Sequence, residues 1–334
     1  MRQLRYKKAN KKGGATMKKV VLIFGVSGFV GKYLAAEFQD HGYEVYGCDI
    51  SVSANIKDSV KYIKCDILDA VQTRQVIYQI KPAYIVNLAA ISSVSYSWKK
   101  PTETIAVNVE GTVNIFESVR QCSIDPKILI IGSSEEYEKS DIPISENHPL
   151  DSQSPYGLSK ITQERFSQLY RERYGMKIYC VRSFNHTGVG QSDRFVIPSW
   201  CKQTAELSAK KLDGNIVAGN IDISRDFSDV RDIVRAYRMI LENEKSGTTY
   251  NVGNGNAVKL RDILNFIISL SPCDIGIRID QNLVRSVDNP MIYCCNKLIK
   301  DEIGWQPQYD IFDTVKEIYQ DYYNKFEAEQ TKLP

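Results

Sequence analysis

A chain of 334 residues, 43% hydrophobic and 25% charged, has enough apolar side chain for one large domain or two closely joined ones, which excludes a fibrous or disordered protein. Its 43 Lys and Arg outnumber 40 Asp and Glu only because six bases and no acid fall in the first 16 residues; the rest is mildly acidic, which argues against a nucleic-acid surface. The basic tail lacks the apolar core of a signal peptide and no stretch has the apolar length of a membrane span, so a cytoplasmic protein is expected, with residues 1–16 a disordered arm or an upstream start ahead of Met17. The eight cysteines have no paired metal spacing and fall mostly in apolar segments, which suggests buried free thiols. Three scattered histidines, His41, His148 and His186, promise no metal site.

The β-branched and aromatic run 20–24 reads as a strand buried on both faces, and it leads directly into Gly25, Gly28 and Gly31. Those glycines suit a tight turn, close approach of a pyrophosphate and close helix packing, with Ser27, Phe29 and Val30 on the turn and the helix start. A second strand, 44–48, ends in Asp49, where a carboxylate would grip an adenosine ribose, so a dinucleotide site is expected. A short strand through Tyr62 and Ile63 ends at Asp66 and Ile67, and a helix over 69–79 is stopped by Pro82. The strand 84–88 runs into Leu88, Ala89 and Ala90, small enough to admit a flat ring or ribose, or equally to serve helix packing.

Ile105, Val109, Val113 and Phe116 recur at helical spacing and predict a helix over 102–121. The strand 127–131 opens into Gly132-Ser133-Ser134-Glu135-Glu136-Tyr137; a proline-rich loop, a helix over 156–174 and a strand at 177–181 follow. This alternation predicts an α/β fold, a Rossmann-type doubly wound parallel sheet over residues 17–182. Beyond Arg182 the rhythm breaks into a smaller C-terminal substrate-binding lobe, 183–225 and 253–334, while 226–252 returns to the sheet as a helix, 230–242, and a strand, 249–252. Leu260, Ile263, Leu264, Ile267 and Ile268 mark another amphipathic helix, and a last helix covers 311–326.

Tyr156 and Lys160 stand four residues apart at a helix start, so they share a face, and a nearby ammonium is expected to lower the phenol's pKa toward neutrality. Ser133, at a strand end, could bond a substrate carbonyl beside them. With the glycine fingerprint, Asp66-Ile67, 87–90, Asn108-Val109-Glu110-Gly111-Thr112 and Ser133 in order, the chain from Val20 to its last helix resembles an extended short-chain dehydrogenase/reductase of the nucleotide-sugar type. The resemblance implies NADH or NADPH as cofactor, held by Gly25, Ser27, Gly28, Phe29, Val30, Gly31, Asp49, Asp66, Ile67, Leu88, Ala89, Ala90, Tyr156 and Lys160. It also implies Tyr156 as proton donor or acceptor, Lys160 on the nicotinamide ribose and Asn108 holding the geometry.

Within that family, GSSEEY (132–137), SPYGLSK (154–160), RSFNHTGVGQ (182–191), RDFSDVRD (225–232) and the 283–290 stretch are most similar to the GDP-4-dehydro-6-deoxy-D-mannose reductases, which make GDP-D-rhamnose. Ser183 and Val189 replace a usual proline and Glu138 a usual glycine. The resemblance implies a GDP-sugar on Ser92, Ser133, Asn185, Arg225, Arg285 and Asp288, and a forked guanidinium does suit a diphosphate. Glu135 occupies the position from which the related GDP-mannose 4,6-dehydratases take a sugar proton, although Glu135 and Glu136 could be a solvated pair. His186 reads as structural, and Trp98 and Trp200 as sugar-pocket or packing residues. Asp49 favours NADH by repelling a 2′-phosphate, with Lys32 and Lys57 as counterweights. The family habit implies a homodimer built on helices 102–121 and 156–174.

Overall fold

The computed structural model describes residues 18–52, 60–243, 248–284 and 290–331. Its first half places β1 (Val20–Phe24), α1 (Phe29–Asp40), β2 (Glu44–Asp49), β3 (Lys61–Lys64), α2 (Ala70–Ile80), β4 (Tyr84–Asn87), α3 (Val94–Lys99), α4 (Pro101–Ile105), α5 (Gly111–Cys122), β5 (Lys127–Ser133), α6 (Pro155–Tyr174) and β6 (Ile178–Ser183). The second half adds β7 (Asn185–Thr187), α7 (Val196–Lys210), β8 (Gly214–Ala218), β9 (Ser224–Asp229), α8 (Val230–Glu242), β10 (Thr249–Val252), β11 (Ala257–Lys259), α9 (Leu260–Ser269), β12 (Ile275–Ile279), β13 (Met291–Ile292), α10 (Lys297–Ile303) and α11 (Ile311–Gln330).

Side chains alternate across a strand, so an apolar run such as β1 serves two cores at once. Val21 and Ile23 pack with Leu34 and Phe38 of α1 and Ile233 and Tyr237 of α8. Leu22 and Phe24 face the other way, toward Ile77 of α2 and Ile115 and Phe116 of α5. Seven strands join in one wholly parallel sheet ordered β3-β2-β1-β4-β5-β6-β10. The order reverses between β1 and β4, and in such sheets the crevice at the carboxyl ends of the strands beside that reversal takes the ligand.

A second core gathers Trp200 and Cys201 of α7, Phe227 of β9, Leu264 of α9 and Val315 of α11 against the parallel pair β8 and β12. Packing therefore accounts for Trp200, 3% exposed, whereas Trp98 lies on the surface of α3. All eight cysteines are free; Cys48, Cys65, Cys180, Cys201 and Cys294 are buried, but Cys122, Cys273 and Cys295 are half-exposed.

One predicted helix is corrected. The segment 102–121 is broken by a π turn, Ala106–Glu110, between α4 and α5. The extra residue shifts the helical phase, so the stripe from Ile105 to Phe116 is not one face: Phe116 is fully buried and Ile105 is 53% exposed.

Candidate active site

Where β1 ends, Gly25 turns with φ +79°, and a Cβ there would meet the Ala89 nitrogen at 2.6 Å. Both the dihedral and the approach demand glycine. Gly31 lets α1 sit on the same turn, since a Cβ would come within 2.5 Å of the Val26 carbonyl oxygen. Gly28 is the N-cap of α1, without a side-chain cap or an acid in the first turn, which leaves that helix end suited to an anion. Asp49, ending β2, accepts the Ser27 N–H through Oδ2 (3.0 Å) and the Ile50 N–H through Oδ1 (2.8 Å), so it braces the glycine turn from the neighbouring strand. This bracing role lay outside the sequence reading.

Phe29 and Val30 are half-buried on the first turn of α1, and Leu88, Ala89 and Ala90 are half-buried after β4. Ala89 N–H donates to Asn87 Oδ1 (3.1 Å), which holds this loop against Gly25. Asp66 is exposed and accepts the Leu68 N–H (2.9 Å), while Ile67 is buried where a Cβ on Gly111 would approach it to 2.8 Å. A turn that a Cβ would fill, next to an uncapped helix end, fits a dinucleotide pyrophosphate.

The reactive side chains meet across β5 and α6. Ser154 caps α6 by accepting the Gly157 N–H (3.1 Å), and Pro155 in the first turn pre-sets its backbone. That start places Tyr156 and Lys160 inside, 8% and 4% exposed. The Ser133 hydroxyl stands beside the Tyr156 phenol and accepts the Glu135 N–H (3.2 Å). Lys160 Nζ donates to the Ile131 carbonyl (2.8 Å) and lies 5.9 Å from the Tyr156 ring centroid.

The electrostatics correct one expectation. Burial raises the Tyr156 phenol above its ordinary value, with Ser133 opposing and Glu136 and Glu135 adding to the rise. Burial also brings Lys160 down to about 8, with Glu136 opposing. The ammonium is engaged by a main-chain carbonyl, and desolvation outweighs any lowering of the phenol. Tyr156 therefore keeps its proton.

Asn108 sits in the π turn, fully buried. It accepts the Ile91 N–H (2.8 Å), donates to the Ile91 carbonyl (3.1 Å) and donates to Ser159 Oγ (2.8 Å). Ser159 in turn donates to the Tyr156 carbonyl (2.6 Å), so Asn108 fastens the loop after β4 to the helix carrying Tyr156 and Lys160. Glu135 is half-buried beside Tyr156. Glu136 is not solvated: it is fully buried, and Oε1 accepts the Ser133 N–H (2.6 Å). The Ser-x-x-Glu spacing of Ser133 and Glu136 is that of a capping box and was the available signal.

His186 stacks on Phe29 with centroids 6.4 Å apart and planes 10° apart, and its Nδ1 lies 3.0 Å from the Phe184 carbonyl. Burial lowers its pKa, so a neutral imidazole stands beside the start of α1. Of the substrate positions, Ser92 and Asn185 are exposed, and Arg225 is buried on β9, where it donates to the Ser224 carbonyl (2.9 Å). Arg285 and Asp288, and also Lys57, lie outside the described residues. The fold thus brings Ser133, Tyr156, Lys160 and Asn108 into one buried cluster.

A family model described as GDP-mannose 4,6 dehydratase matches residues 22–318. The GDP-6-deoxy-D-mannose reductase of Pseudomonas aeruginosa is 27% identical over 251 residues, 74% of this chain and 83% of that protein. GDP-mannose 4,6 dehydratase 2 of Arabidopsis thaliana is 29% identical over 322 residues, 90% of this chain and 85% of that protein. Among solved structures, RMD from Pseudomonas aeruginosa complexed with NADPH superposes with a TM-score of 0.80 at 25% identity, over 92% of this chain and all of that one. A putative epimerase from Burkholderia cenocepacia gives 0.83 at 27% identity, over 93% of this chain and all of that one.

Proposed function

The chain belongs to the GDP-mannose 4,6-dehydratase family of extended short-chain dehydrogenases/reductases, and from that premise we propose that it reduces the 4-keto group of GDP-4-dehydro-6-deoxy-D-mannose to GDP-D-rhamnose with NADH or NADPH, for deoxysugar and cell-surface polysaccharide synthesis. The observation that carries this reading is the buried Tyr156, whose phenol burial keeps protonated beside Ser133. A group that holds its proton suits donation to a new alkoxide. The similarity to a protein named GDP-6-deoxy-D-mannose reductase, and to a structure complexed with NADPH, supports the substrate class and the cofactor.

A nicotinamide cofactor, when bound, supplies hydride. The 25–31 turn and the start of α1 hold its pyrophosphate, Asp49 its adenosine ribose, and Lys160 its nicotinamide ribose. Ser133 and Tyr156 orient the ketone oxygen, and Tyr156 passes its proton to the oxygen as the carbonyl is reduced. Asn185 and Arg225 from the lobe, Ser92 after β4 and, by the family resemblance, Arg285 and Asp288 would hold the GDP-sugar, so that binding energy remote from the ketone positions it. No helix among the described residues is long and apolar enough to cross a membrane, and a cytoplasmic location goes with this substrate.

The test supplies the keto sugar with reduced cofactor and reads the product's configuration from NMR coupling constants. Stoichiometric cofactor oxidation and a rhamno product are expected. A talo product would assign the epimeric reductase, and no net cofactor consumption would assign GDP-mannose 4,6-dehydration. The second reading is favoured by Glu135, near enough to Tyr156 to raise its phenol.

Cofactor choice follows from Asp49. Its carboxylate stands at the end of β2, so a modest preference for NADH in kcat/KM is expected, and a strong preference for NADPH would refute the ribose role.

Dimerisation is read from the surface. Trp98, Ile105, Leu158 and Leu169 are 64%, 53%, 54% and 45% exposed on α3, α4 and α6, more apolar surface than a monomer's helices need. Sedimentation equilibrium is expected to give a dimer and the L158D variant a monomer; a monomeric wild type rules this out.

A further inference from the structure

Glu136 is fully buried against Ser133, within electrostatic reach of Tyr156 and Lys160. Only Oε1 is hydrogen-bonded, to the Ser133 N–H at 2.6 Å, and Gly132 makes the room, since a Cβ there would collide with that same oxygen. Oε2 is buried with no hydrogen-bond partner among the described residues. The nearest cation, Arg182 Nε, stays 3.9 Å away, because its guanidinium is committed to Glu164 (2.6 and 2.9 Å) and to the Tyr137 hydroxyl (2.8 Å). A half-satisfied buried acid costs stability, and a capping box needs no such burial. Its position relative to Lys160 and Tyr156 gives it a use.

We propose that Glu136 is a positioning residue for the reaction: it fixes Ser133 through the main-chain N–H and supplies the counter-charge that keeps Lys160 cationic and Tyr156 protonated. This rests on the reading of Tyr156 as the proton donor. The groups that face Glu136 are Tyr156, Lys160 and Glu164 from α6, Arg182 from β6, and its chain neighbours Ser133 and Glu135. Burial and Glu164 raise the Glu136 carboxyl, while the Ser133 N–H, Arg182 and Lys160 lower it. The carboxyl therefore ionises toward the pH range in which a buried lysine would otherwise lose its proton. An anion at that point favours the ammonium at 160 and the neutral phenol at 156. Without it, both give up their protons at lower pH, so the alkaline limb of the rate profile moves toward acid.

The experiment measures kcat against pH for wild type, E136Q, E136D and Y156F, with GDP-4-dehydro-6-deoxy-D-mannose and NADPH, beside near-UV circular dichroism and thermal melting. E136Q keeps an acceptor for Ser133 but loses the charge, and its alkaline limb is expected to move acidward by about one pH unit or more. E136D keeps the charge but is too short to reach the Ser133 N–H, so kcat falls while the limb stays in place. If E136Q loses activity by the same factor at every pH, its role is structural and the proposal is overturned. Should E136Q not fold, E136D decides alone, and a displaced limb there overturns the proposal. Y156F near the wild-type rate defeats the catalytic reading itself, and the proposal with it. That outcome is distinct from an inactive Y156F with an unshifted E136Q.

Discussion

Replacing Tyr156 with phenylalanine is expected to lower turnover by about 10²–10⁴-fold, the usual contribution of a positioned proton donor. The melting temperature should stay near that of the wild type. The ring is buried and remains in the variant, so packing is retained and only the hydroxyl is lost. Ser133, beside that hydroxyl, keeps the Glu135 N–H and is not left without a partner. Because the phenol is used when the carbonyl becomes an alkoxide, kcat should fall far more than KM rises. Steady-state kinetics of cofactor oxidation check both numbers. Near-normal turnover would remove Tyr156 from the chemistry and leave Ser133 and Lys160 as a cofactor platform.

Replacing Arg182 with methionine is expected to destabilise the fold by about 3–5 kcal/mol, the loss typical when one partner of a buried ion pair is removed. The guanidinium is 5% exposed, bonds both oxygens of Glu164, and donates to the Tyr137 hydroxyl and the Glu146 carbonyl (2.9 Å). It also stands 4.9 Å from the Tyr137 ring centroid. Methionine fills much of the volume but leaves the Glu164 carboxylate without its cation. Adding E164Q should recover part of the loss, as coupled neighbours do. Urea unfolding measures both variants, and a loss below about 1 kcal/mol would place Arg182 among solvated pairs.

Much of this site was legible because its chemistry constrains the main chain. Gly25 needs a positive φ and a close approach to Ala89, and few residues but glycine meet either condition. Tyr156 and Lys160 need only one helical turn to share a face, so their spacing announces them. The apolar runs gave the parallel sheet for a similar reason, since a strand covered on both sides cannot hide its composition. The π turn was not legible, because its support comes from Asn108 gripping Ile91 across 17 residues of chain, a contact that no local periodicity encodes. Glu136 does not stand out in the sequence for the opposite reason. An acidic pair in a polar loop looks solvated unless the Ser133 spacing is read as a cap, and its burial depends on the space left by Gly132. The lowering of Tyr156 by Lys160 was a pairwise argument, and desolvation of the whole cluster overrode it.

The layer formed by α1 and α8 has a consequence for synthesis. Leu34 and Phe38 of α1 share their core with Ile233 and Tyr237 of α8, and Glu37 pairs with Arg238, 201 residues further along the chain. On a ribosome adding about 5–20 residues per second, that partner helix emerges roughly 10–40 s after α1. Through that interval one face of the nascent sheet has half its cover, and the strand that completes it, β10, arrives later still. Chaperone capture of ribosome-bound chains should therefore persist until translation passes β10, then fall as α8 and β10 dock together.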